Sequence, residues 1–160
     1  ALYDDSIEAQ IVRRFQKGDA VVIYVPNHGE ECYEEDRGFI CRNHSANIDW
    51  PLAHYEFEIP FWIYCSPKYI RNHRDIYRQI RKAKDKRFMT DALPHLLLYL
   101  AGIETPTYKE EYNILSPKYN EMRPRILKNS ADYDQLRDEH LEKVEKEKSK
   151  KEKSKKGDKK

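Results

Sequence analysis

The chain holds only three cysteines, Cys32, Cys41 and Cys65, among its 160 residues. Three are too few for a disulfide scaffold, and no CxxC pair suggests structural zinc. No apolar run approaches the ~18 residues that a membrane helix needs. No basic–apolar–small leader opens the sequence, which begins at Ala1 without Met, as a processed product or an excised fragment would. A broad basic surface is lacking too. The net charge is +2, but residues 141–160 carry ten Lys against five acids, so the other 140 residues hold a net −3. A mildly acidic body lacks the wide cationic face that binding a phosphate backbone requires, and no nucleic-acid partner is expected.

What remains is enough for one domain with a real core. Charged residues make up 36% of the chain and mean hydropathy is −0.98, so that core draws on a few segments only. Ile7, Ile11, Val12 and Phe15 recur at helical spacing and predict an amphipathic helix over 4–17, started by Asp4, Asp5 and Ser6 and ended by Gly18. AVVIYV, residues 20–25, is short, apolar and β-rich, and reads as a strand covered on both faces. Helix followed by buried strand indicates an α/β architecture.

Residues 27–54 show little periodicity and read as a long irregular segment. FEIPFWIYCSP, 57–67, predicts a second strand, with Pro60 marking an edge or a bulge. Residues 71–86 read as an exposed, basic helix anchored by Ile76 and Ile80. A third helix is expected over 90–101, capped by Thr90 or Asp91, with Pro94 in its first turn and Gly102 at its end. The tyrosine-rich stretch 103–133 is mostly irregular, with NILSPKY and EMRPRIL as short candidate elements. Residues 135–160 form a Lys/Glu-rich tail with no apolar residue after Val144, expected to be disordered or a frayed helix, and 1–134 form the folded part.

The feature that invites chemistry is VVIYVPNHGEE. A buried strand stops at Pro26 and delivers Asn27, His28, Gly29 and Glu30 to one place. In open α/β sheets, ligands sit beyond the carboxyl ends of strands. Imidazole is the commonest zinc ligand, and a neighbouring oxygen donor supplies a second position. Gly29 lets the backbone turn beside the site. Glu30 has three roles open to it: binding substrate, orienting a ligand, or capping the next element. A hydrogen-bonded turn histidine is the plainer reading of His28. Sixteen residues on, RNHS adds His44. His54, His73, His95 and His140 have no metal-like spacing and are expected to be structural.

The series helix–VVIYVPNHGEE–loop–RNHS–EIPFWIYCSP resembles the alkaline-phosphatase and sulfatase superfamily. More narrowly, it is similar to the C-terminal half of the periplasmic domain of a bacterial phosphoethanolamine transferase. RFMTDALPHLLLYLAGI, 87–103, is similar to that family's helix ending in a Leu-Ala-Gly turn, and YDDSIEAQIVRRF to its preceding helix. The resemblance implies a sandwich of helices around a central, mostly parallel sheet, here only its C-terminal part. It implies an enzyme of the bacterial inner membrane with its catalytic domain in the periplasm. Such an enzyme moves phosphoethanolamine from phosphatidylethanolamine to a sugar of lipid A or lipopolysaccharide, using zinc and a threonine nucleophile. Asn27 and His28 then stand at zinc-ligand positions, and His44, with Glu30 nearby, at a substrate-binding or proton-transfer position.

Two departures stand out. The family's aspartate is Asn27 here, a neutral and poorer donor. The nucleophile and the other acidic ligand belong to the family's earlier half, so this chain alone is expected to be inactive, its missing half supplied by another segment or replaced by self-association. A periplasmic setting permits disulfides, and Cys32 and Cys41 are the pair expected to bridge, two separate thiols or pairings with the absent half being the alternative. Cys65 is expected to be a buried hydrophobe. The competing functions are a hydrolase of the same superfamily, a catalytically inactive glycolipid-binding derivative favoured by Asn27, and a nucleic-acid module confined to the tail.

Overall fold

The computed structural model describes residues 2–33, 40–41, 47–128 and 130–157, with side chains for 7–33, 47–128 and 130–150. In chain order the elements are α1 (Leu2–Phe15), β1 (Val21–Tyr24), β2 (Glu31–Cys32), β3 (Ile40–Cys41), α2 (Trp50–Phe57), β4 (Trp62–Cys65), α3 (Pro67–Asn72), α4 (Arg74–Ala83), α5 (Leu93–Ala101), β5 (Ile126–Leu127), β6 (Ala131–Asp132) and α6 (Tyr133–Gly157). Short 3₁₀ turns cover Thr90–Ala92 and Glu110–Tyr112. The chain divides into two compact units, one of Ala1–Val25 with Pro60–Arg123, the other of Pro26–Ile59 with Pro124–Lys160.

In the first unit β1 pairs antiparallel with β4, setting Val21 against Cys65 and Tyr24 against Trp62, whose rings stack at 5.3 Å. Ser66 ties the ladder's start to the next helix. Its buried hydroxyl donates to the Gly18 carbonyl at 2.7 Å and accepts the N–H groups of Ala20 and Tyr69 at 3.2 and 3.1 Å. It is thereby the N-cap of α3. The basic helix expected over 71–86 begins earlier and breaks at His73, whose backbone leaves the helical region (φ −126°, ψ 50°). Ala83, Leu96, Ile114 and Leu115 are the core, with Ile76 and Ile80 packed on it as the spacing predicts. Pro94 lies in the first turn of α5, and Gly102 (φ +65°) ends it in the left-handed region that glycine favours. Neither Thr90 nor Asp91 caps it.

The second unit packs α2 with α6 around Ala53, Leu127 and Tyr133. α2 occupies residues expected to be irregular or strand. Asp49 explains this: its side chain accepts the Leu52 N–H at 3.0 Å, and Pro51 sits in the first turn. Because α2 runs to Phe57, the second strand shrinks to Trp62–Cys65 and Pro60 precedes it. Arg125 clamps the start of α6 through Asp134, at 2.5 and 3.2 Å, and lies over the Tyr133 ring at 4.3 Å. The Lys/Glu-rich stretch, expected to be disordered or a frayed helix, continues as one helix to Gly157. Its interleaved Glu and Lys are strong helix formers, and pairs such as Glu142–Lys146 support the turns.

The architecture is mixed α/β. The central, mostly parallel sheet expected from the sequence is not what the described strands form; they make three antiparallel pairs, β1–β4, β2–β3 and β5–β6. β1 is accordingly half-buried along its length rather than covered on both faces. A two-stranded ladder has too few neighbours to bury both faces.

Candidate metal centre

β1 ends at Tyr24, and Pro26, lacking an N–H, cannot extend the ladder. The next residues are held by α2 instead. The Gly29 N–H donates to the Glu56 carbonyl at 2.9 Å. A Cβ at position 29 would lie 2.2 Å from the Tyr55 carbonyl oxygen, inside any permissible contact. Glycine is therefore required by the closeness of the α2 backbone, not by a positive φ.

This anchoring sets the chemistry of His28. Its Nδ1 lies 2.8 Å from the Gly29 carbonyl oxygen. A carbonyl only accepts, so Nδ1 carries a proton, and in the neutral imidazole Nε2 is the nitrogen left with its lone pair. An imidazole fixed in this tautomer by a backbone carbonyl is in the form that ligates a metal through Nε2. His28 is half-buried, while Asn27 and Glu30 are exposed. The donor set suits a dication in part: one imidazole nitrogen in the right tautomer and one neutral amide oxygen. Among the described residues no three His, Cys, Asp or Glu cluster in a way that could hold a metal.

Glu31 is not marked by any motif in the sequence, yet it is fully buried, two residues beyond Gly29. Burial alternates through exposed Glu30, buried Glu31 and exposed Cys32, as the chain extends into β2. Glu56 on α2 is buried as well. Alternation applied to GEEC would have found Glu31; nothing local marks Glu56.

His44 lies outside the described residues, as does the Cys41 side chain, so the expected bridge from Cys32 falls partly outside them too. The backbone ladder pairs Cys32 with Ile40 and Glu31 with Cys41. Cys65 is buried as expected, and burial pushes its thiol pKa up.

The other histidines have structural partners. His54 contacts Glu58 at 3.0 Å and stacks on Trp50 at 5.5 Å, and His140 stacks on Trp50 at 5.2 Å. His73 lies against Tyr69 and Asp19, and His95 accepts the Lys109 N–H at 3.1 Å. Tyr133 donates to Glu58. Burial first, then that bond and the carboxylate's charge, push the Tyr133 hydroxyl up to about 12. No helix among the described residues is long and apolar enough to cross a membrane.

No family model matches the chain, and no curated protein does. Solved structures do. The chain matches the C-terminal periplasmic domain of EptC from Escherichia coli, with a TM-score of 0.67 and 26% identity. A second structure of that domain, in complex with Zn, matches equally. Each match covers 84% of this chain, and the chain spans 38% of the domain's length. EptC is a phosphoethanolamine transferase, so the resemblance read from residues 1–134 is the one found in three dimensions. The matching region is the C-terminal part of the EptC domain.

Proposed function

We propose that this chain is the C-terminal part of the catalytic domain of a zinc-dependent phosphoethanolamine transferase, held at the bacterial inner membrane and facing the periplasm. The whole enzyme transfers phosphoethanolamine from phosphatidylethanolamine to a sugar of lipid A or lipopolysaccharide. The observation that carries the proposal is the match to the EptC periplasmic domain over 84% of the chain. The tautomer of His28 adds local support.

In this reading His28 offers Nε2 to zinc, and Asn27 offers its side-chain oxygen. Zinc, when bound, supplies positive charge to the phosphoryl oxygens and lowers the pKa of the nucleophile. The Gly29 N–H bond to Glu56 anchors the residue whose carbonyl accepts from the imidazole. Exposed Glu30 is the carboxylate available to the substrate's ammonium group. His44 contacts the phosphate or moves a proton. The nucleophile and the remaining acidic ligand come from the earlier part of the fold, as do the strands that complete a larger sheet. The chain alone is thus inactive.

Zinc calorimetry on the completed domain, with and without His28→Ala, tests the proposal. Loss of one imidazole ligand is expected to weaken zinc by at least ~10–100-fold. Equal zinc affinity in both proteins would remove His28 from the site. Failure of the completed domain to bind zinc or transfer phosphoethanolamine would end the reading.

A further inference from the structure

α1 is amphipathic in sequence, yet the largest apolar residues among its described side chains face outward. Ile7, Ile11 and Phe15 are 40%, 41% and 46% exposed. Spaced four apart, they form one continuous stripe along the helix. Glu8, Ala9 and Val12, on the neighbouring face, are the less exposed residues. A helix that shields a glutamate and an alanine while displaying two isoleucines and a phenylalanine is packed for a larger body than this one. β1 and β4 agree: each has one ladder neighbour among the described residues, and VVIY stays half-buried.

We infer that the Ile7–Ile11–Phe15 stripe is the docking face for the earlier portion of the same catalytic domain. This rests on the proposed function and deepens it by naming the surface. The matched EptC domains contain far more polypeptide than this chain spans, so most of the fold remains to be supplied. The stripe's chemistry favours protein over lipid. Asp4, Asp5 and Glu8 offset Arg13 and Arg14, whereas helices that lie on anionic membranes carry an excess of cations on their polar face. An apolar stripe on a helix without excess positive charge instead fits the interior seam of a domain.

The test uses this chain co-expressed with the earlier portion of the E. coli EptC periplasmic domain as a separate polypeptide. A stable complex is expected, with hydrogen exchange of the 7–15 amides slowed at least tenfold relative to the chain alone. The triple variant Ile7→Ser, Ile11→Ser, Phe15→Ser is expected to keep its circular dichroism and to weaken the complex at least tenfold. Three results overturn the inference: no complex with the EptC portion; equal complex formation by the triple variant; or a stripe that instead mediates a dimer of this chain or binding to phosphatidylethanolamine–phosphatidylglycerol vesicles. Zinc separates the two proposals. Assembly through the stripe without zinc binding defeats the proposed function alone, and zinc binding with a stripe-independent assembly defeats this inference alone.

Discussion

Replacing Gly29 by alanine adds one methyl group, and the structure places it where no atom fits. The new Cβ would stand 2.2 Å from the Tyr55 carbonyl oxygen and 3.3 Å from its carbon. Both are backbone atoms within α2, so a side-chain rotation cannot relieve the clash. Either α2 or the 27–31 segment must move, and the Gly29 N–H bond to Glu56 at 2.9 Å lengthens or breaks. Overpacking of about 1–3 kcal/mol and a lost hydrogen bond of about 0.5–1.5 kcal/mol together amount to about 2–4 kcal/mol. In urea that is a midpoint shift of about 1–2 M.

The assay is urea unfolding followed by Trp50 fluorescence in a Trp62→Phe background, since the chain has two tryptophans and only Trp50 lies in the same unit as Gly29. Two other glycines calibrate it. Gly18→Ala meets its nearest atom at 3.5 Å, so it is expected to be neutral or to stabilise by about 0.4–1 kcal/mol. Gly102→Ala has open space around it but φ +65°, and strain of about 1–2 kcal/mol is expected. Stability of Gly29→Ala within about 0.5 kcal/mol of the parent would refute the close approach of α2 and, with it, the account of how His28 is held.

Ser66→Ala removes one hydroxyl that serves Gly18, Ala20 and Tyr69, and a loss of about 2–4 kcal/mol is expected, read by Trp62 in a Trp50→Phe background. Tyr133, raised from 10.0 to about 12, contributes stability that is complete below pH 10 and lost as pH rises through about 12; the late part of the tyrosinate absorbance titration should shrink by one phenol in Tyr133→Phe. Glu58 behaves oppositely. Burial, its largest single influence, pushes its pKa up, but hydrogen bonds from Tyr133 and His54 and the charges of His54 and Arg125 outweigh it and hold it below 4.5. Its contribution is present above pH 4.5 and lost as pH falls through the lowered value, so Glu58→Gln should flatten the acid limb of the stability profile. Asn27→Asp adds a negative charge beside His28 and is expected to raise zinc affinity of the completed domain by about tenfold or more; unchanged calorimetry would exclude position 27 as a ligand.

The sequence alone determined the features that depend on nearby residues. The apolar spacing of 7–15 makes α1, Pro26 ends the strand and presents Asn27 and His28, and Pro94 with Gly102 bounds α5. Each comes from local sterics and periodicity, as does the series of motifs that carried the family resemblance. α2 was legible too, through Asp49 and Pro51, but weak periodicity hid it. The tertiary structure decided everything set by residues far apart in the chain. Tyr55 and Glu56, not the turn itself, make Gly29 obligatory. β2 packs beside α2, with Glu31 buried and Glu30, just before the strand, exposed. The antiparallel order of β1 and β4 and the outward stripe of α1 were equally hidden. Periodicity tells which face of a helix is apolar; only packing tells whether that face is covered.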